Sequence, residues 1–309
     1  MLVEGLGLTR FGERFVNITI LLLVATAFAA WWFILYDDES NRFGAALIIF
    51  CVVAIAVLYT LSPQITWAHN MRNPPPLDRA SSQLLGRYSP FFRQLSLTEK
   101  KRFASRVAMF LNDKEFVLQG TPAEDEDVPL QMKLAVAASV IQFTFGLDEF
   151  WLPDLEKVIC YPRLFPSRER PAFHAGEAHD DGCLILSALM TQQGLTKPAE
   201  FYHIGLHVAA EYWLLRNELP LDDVWTKDAT TETDFTTKIC QIRQFRPNFW
   251  QPLTGNAQPD LRCLAIEAFF TKPEQLHDSL PTVFNFLSEK LNQDPRKDTY
   301  PLVKPVSTW

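Results

Sequence analysis

The sequence predicts an α+β fold: an N-terminal two-helix transmembrane hairpin followed by a mainly helical domain with a small β-sheet. Three observations predict it. Two long apolar runs fall within the first 61 residues, several later segments repeat apolar residues at helical spacing, and two short β-type runs are bounded by turn residues. With 309 residues, 48% of them hydrophobic, the chain holds one good-sized domain plus an apolar segment.

The hairpin rests on residues 15–35 and 43–61, both without a charged side chain, and each near the roughly 20 residues that cross a bilayer as a helix. Trp31, Trp32 and Tyr36 close the first run as an interfacial belt would, and Ala25 to Ala30 supply small residues for packing. Arg10 and Arg14 precede the first run, and Arg72, Arg79 and Arg87 follow the second, whereas the connection 37–42 is acidic with a single Arg. The expected location is therefore a bacterial inner (cytoplasmic) membrane, multi-pass, with both termini and the soluble domain on the cytoplasmic side and the lipid bilayer as a partner. Five cysteines, Cys51, Cys160, Cys183, Cys240 and Cys263, without C-x-x-C spacing, suit free thiols in a reducing compartment. A net charge of −7 without a basic stripe speaks against nucleic acid.

The organisation follows: hairpin 1–72, a linker 73–87 containing Pro74-Pro-Pro76, a folded domain 88–295 and a tail 296–309. Ser96-Leu-Thr-Glu99 is a capping box, and Phe103, Val107, Phe110 and Leu111 recur behind it, giving a helix that ends near Asn112-Asp113. A second helix, 130–145, is apolar around most of its circumference and stops at Gly146, which places it in the core. Lys157-Val-Ile-Cys-Tyr161 before Pro162, and Cys183-Leu-Ile-Leu-Ser187 after Asp180-Asp-Gly182, read as strands. A helix initiated at Pro198 follows, then a polar Thr-rich region near 222–237 and helices near 261–270 and 281–291.

The helix after Pro198 carries the chemistry. From it Glu200, His203, His207 and Glu211 fall on one face, so His203, His207 and Glu211 are candidate metal ligands. A zinc-protease helix reads His-Glu-x-x-His, with the Glu as general base between two ligands. Here Val208 stands at the base position when the pattern starts from His207, and Ile204 stands there when it starts from His203. Neither register supplies a base, so a buried polar stripe is the plainer reading. No Gly-rich phosphate loop, nucleophile elbow or Cys/His pair at catalytic spacing is present.

The segments 110–116 (FLNDKEF), 135–147 (AVAASVIQFTFGL), 158–162 (VICYP), His174-Ala-Gly-Glu177 with Gly182-Cys-Leu-Ile-Leu-Ser187, Gly205-Leu-His207, Glu267-Ala-Phe-Phe270 and Asn292-Gln-Asp-Pro295 are collinear with a known family. Over residues 88–295 the chain resembles the Mlc titration factor A family of zinc-dependent peptidases, in its membrane-anchored branch. The resemblance implies a zincin-like domain. It matches His207 to the first metal ligand, puts Val208 where the catalytic Glu belongs and Glu211 where the second His belongs, and places Asp260 at the third ligand position. It also makes Glu177 a cleft candidate beside a substrate-edge segment, with Glu200 and Glu267 as further cleft carboxylates. The metal candidates are thus His207, Glu211, Asp260 and His203, and no residue is assigned to catalysis.

The preferred expectation is a peptidase-like protein with a degenerate catalytic motif that binds or scaffolds a protein partner, with no cofactor expected and zinc as the one such donors would take. Two alternatives stand beside it. One is an active zinc metallopeptidase with a rearranged site that recruits Glu200 or Glu267 as base; the other is an accessory subunit acting through its hairpin.

Overall fold

The computed structural model of the protein describes residues 10–35, 49–50, 52–57, 60–61, 69–120, 127–152, 154–246, 248–256, 258, 260–297 and 301–305. The chain divides into two compact units between Pro75 and Pro76.

In the first unit the transmembrane hairpin is not supported, because among the described residues no helix is long and apolar enough to cross a membrane. Helix α1, Arg10–Leu35, does form. It starts ahead of the uncharged run and takes in Arg10, Glu13 and Arg14, and polar Asn17, Thr19 and Thr26 recur along it. The Thr26 hydroxyl donates back to Leu22 O at 2.7 Å. Of the second run, helix is described at 49–50, 52–57 and 60–61, and the rest lies outside the described residues. Tyr36 and the connection 37–42 lie outside the described residues. The multi-pass inner-membrane location and its sidedness lose their support with the hairpin.

The second unit is a mixed helical domain with a small mixed sheet. It opens with α2, Arg79–Tyr88, within the stretch expected to be linker; Asp78 caps it by accepting from Ser81 N, and Leu85 is buried. After α3, Pro90–Gln94, the capping-box serine Ser96 accepts from Glu99 N and starts α4, Leu97–Asp113. Phe103 of α4 packs its ring against Phe91, Phe92 and Phe145, with centroids 5.6–5.9 Å apart. Arg106 runs through this apolar layer, donating to Phe145 O at 2.9 Å and lying over the Phe150 ring.

Helix α5, Leu130–Thr144, is the centre of the core, with every residue from Leu134 to Thr144 buried. A helix apolar all round needs partners on all sides, and α5 packs on α2 and α4, and on α6 (Ala188–Thr196) and α7 (Ile204–Leu214). At its end Gln293 Nε2 donates to Phe143 O at 2.9 Å and Asn292 Nδ2 to Gly146 O at 3.0 Å. The Asn292-Gln293 segment therefore serves to finish the core helix.

Both expected strands form where the β-type runs lie, as β2 (Lys157–Tyr161) and β4 (Cys183–Ser187). Two further strands join them: β1 (Glu115–Leu118) and β3 (Gly176–His179). The order is β1-β2-β4-β3, with β1, β2 and β4 parallel and β3 antiparallel at the edge beside β4. Period-two alternation buries Val158, Cys160, Leu184 and Leu186 on one face. The segment around His174 and His179 thus contains the edge strand β3.

The C-terminal half is helical: α8 (Asp222–Trp225), α9 (Glu232–Arg243), α10 (Gln251–Thr254), α11 (Leu261–Thr271), α12 (Pro273–Ser279) and α13 (Pro281–Lys290). The Thr-rich region resolves into α8 and the start of α9, where Thr231 caps by accepting from Asp234 N. Helix α7 is sandwiched between α5, α11 and the β3 edge, which sets the stage for the site.

Candidate functional site

Helix α7 begins at Ile204, not at Pro198, and His203 is its N-cap residue. His203 Nδ1 accepts from Leu206 N at 3.3 Å, which leaves the proton on Nε2, a buried atom with no hydrogen-bond partner among the described residues. Burial, reinforced by the nearby Arg243 charge, pushes His203 down to about 3. Glu200 is consequently not on the helix face; it is exposed and pairs with Lys197 at 3.0 Å. Gly205 lets α7 approach α5 closely, since a Cβ there would run into the Ser139 side chain.

His207 is buried one turn into α7, its Nδ1 2.7 Å from the Tyr202 hydroxyl. Tyr202 is itself held edge-on by Phe249 and Phe245. Burial lowers the His207 pKa; the charges of Glu211 and Asp260 oppose the shift and Arg170 adds to it. His207 therefore lies within the fields of Glu211, Asp260 and Arg170. The base position, Val208, is fully buried against β3.

Both candidate carboxylate ligands are engaged elsewhere. Glu211 Oε1 accepts from Arg170 Nη2 at 2.7 Å and Oε2 accepts from Ala178 N at 3.2 Å. Asp260 is the N-cap of α11, accepting from Arg262 N at 2.8 Å, and its two oxygens take the Arg262 guanidinium at 2.6–3.2 Å. Burial would raise the Asp260 pKa, but the hydrogen bonds from Arg262 outweigh it and hold the carboxyl below the usual range.

The remaining cleft candidates divide. Glu177, on the edge strand, is buried and accepts from Ser167 Oγ at 2.8 Å, with His174 Nε2 at 3.2 Å and His179 Nε2 at 3.0 Å. Against the upward push of burial, these contacts bring it down to about 2. Glu267, on α11, accepts from His203 N at 2.9 Å and meets Arg243 Nε at 3.0 Å, both partners almost fully buried. Burial raises its pKa and Arg243 opposes that rise. Glu267 thus fixes the start of α7 and faces away from a base role toward His207.

Zinc is the ion such donors would take, and the arrangement does not fit it. Zinc needs several unpaired donors converging on one point. Glu211 and Asp260 are each paired with an arginine. Among the described residues no group of three or more His, Cys, Asp or Glu is placed to hold a metal ion. Sequence reasoning missed Arg170, Tyr202, Arg243 and Arg262. Only Arg262 had a readable signal, an arginine two residues beyond a capping aspartate; the others are brought in by long-range packing.

The sequence model of the glucose-regulated metallo-peptidase M90 family matches residues 65–211. The match ends at Glu211, so Asp260, Glu267 and helices α8–α13 lie beyond it. The chain is also similar to an uncharacterized protein of Synechocystis sp., at 20% identity over 261 residues that cover 78% of this chain and 94% of that protein.

Proposed function

We propose that this chain is a divergent relative of the glucose-regulated metallo-peptidases that does not hydrolyse peptides and uses its peptidase-like domain to bind a protein partner. One observation carries the reading: Val208, at the base position, is fully buried against β3 while the neighbouring carboxylate, Glu211, is held by Arg170 at 2.7 Å. Hydrolysis by the metal-water route needs a general base beside the bound water and an open coordination position. Neither has a residue to supply it here.

The partner role is supported by open space along α9. A groove of about 660 Å³ runs along α9, lined by Thr236, Thr237, Gln241, Gln244, Phe245 and Trp250 among others. Hydroxyls and carboxamides offer both donors and acceptors, as a polypeptide surface requires.

The deciding experiment is metal content by elemental analysis of the purified protein and of His207→Ala, with a peptidase assay on an unfolded protein substrate. The reading expects no stoichiometric zinc and no hydrolysis in either. Zinc at one per chain that disappears in His207→Ala, together with hydrolysis, would establish instead a rearranged metallopeptidase.

A further inference from the structure

We infer that Arg170 is a built-in cation: its guanidinium takes the place of a metal ion on Glu211, one turn beyond His207 on α7, and, in the same set of contacts, closes the free edge of β3 to an incoming strand. The inference rests on the non-hydrolytic reading and names what holds the site together in place of a metal.

The geometry is that of a bridging cation. Arg170 Nη2 donates to Glu211 Oε1 at 2.7 Å, Nη1 donates to Thr254 O at 2.9 Å and to Gly176 O at 3.5 Å, and Nε lies 3.8 Å from Glu177 Oε2. One guanidinium therefore ties α7, the β3 edge and the end of α10 together. The side chains of Arg170 and Glu211 are 15% and 18% exposed, so water screens the pair far less than a surface bridge. A planar fork with five donors can serve four acceptors at once, which a lysine point charge cannot.

The edge is closed by the same pair. Strand β3 has β4 on one side, and the sheet order leaves its other side free. Gly176 O is taken by Arg170 and Ala178 N by Glu211, while Ala175 N donates to Leu253 O at 2.7 Å. The carbonyl of one residue and the N–H two residues on face the same side of a strand. An extended peptide adding to this edge would need those very groups. The carboxylate, the guanidinium and the edge strand thus form one latch.

The test compares full-length wild type, Arg170→Ala, Arg170→Lys and Arg170→Ala/His207→Ala by thermal unfolding and by the visible absorption of added cobalt(II), a spectroscopic probe for zinc-type sites. We expect the wild-type melting temperature to be indifferent to EDTA and to cobalt. Arg170→Ala should melt several degrees lower, bind cobalt about tenfold or more tightly than wild type, and lose that binding in the double variant. Arg170→Lys should recover part of the melting temperature only. If Arg170→Ala fails to fold, Glu211→Gln and Arg170→Gln, singly and together, carry the test: the joint loss should be clearly less than additive. A wild type that binds cobalt as tightly as Arg170→Ala, variants that melt like wild type, or strictly additive losses would each overturn the inference. Peptide hydrolysis insensitive to EDTA in the wild type would overturn the non-hydrolytic reading alone.

Discussion

A Cβ placed on Gly176 would lie 2.6 Å from Val208 Cγ2. Helix α7 and the edge strand β3 therefore meet with no space between them at the one helix position where a hydrolase of this pattern needs its base. Gly176→Ala should destabilise the domain by about 1–3 kcal/mol through overpacking. Adding Val208→Ala in the same chain should return part of that loss, a rescue readable by urea unfolding.

Val208→Glu places a carboxylate in a fully buried position. Burial of a charge is costly, so the variant should unfold at lower urea than wild type. It should gain no peptidase activity, because Glu211 and Asp260 remain held by Arg170 and Arg262. Detectable zinc-dependent cleavage by this single variant would count directly against the sealed-site reading.

The Arg243–Glu267 pair is buried on both sides and also anchors the first N–H of the α7 cap. Glu267→Ala leaves Arg243 uncompensated and should cost about 3–5 kcal/mol. Replacing both residues together by apolar side chains should cost clearly less, since the cost lies in the stranded charge. A double-variant loss equal to the sum of the two single losses, measured by chemical denaturation, would show that the pair is not coupled.

Glu177 is held at about 2 in the folded protein against 4.5 for a free glutamate. A depressed carboxylate stabilises the fold above its unfolded pKa, and the contribution is lost as pH falls from about 4.5 toward 2. Stability should therefore drop across that window in wild type. Glu177→Gln, which has no proton to gain, should flatten that limb of the pH–stability curve.

Gln293 Nε2 donates to the carbonyls of Phe143 and Gln142 at the end of α5. Gln293→Ala strands these buried acceptors and should cost about 1–3 kcal/mol. Native-state hydrogen exchange should show the loss as faster opening of the last turn of α5.

Legibility in the sequence followed the range of the forces involved. The capping box at Ser96, the all-apolar helix ending before Gly146 and the strands 157–161 and 183–187 were readable because capping, periodicity and turn chemistry act within a few residues. Strands β1 and β3 were not, since four-residue edges are made by pairing with a partner distant in sequence. The Pro198 start of the histidine helix was misplaced because the cap that wins, His203, is fixed by Glu267 from another helix. The apolar runs in the first 61 residues misled as well: absence of charge over about 20 residues is not by itself a spanning helix, and among the described residues none qualifies.

By itself the sequence determined that Val208 and Glu211 stand one and four residues after His207, where the His-Glu-x-x-His pattern carries a Glu and a His, because that pattern is local to one turn and a half of helix. Only the tertiary structure decided what the altered helix became. Arg170, 41 residues from Glu211 along the chain, reaches it through the fold of the 163–175 segment against β3. Charge pairing in a buried site depends on which groups packing brings within hydrogen-bond reach, and no spacing rule along the chain encodes that.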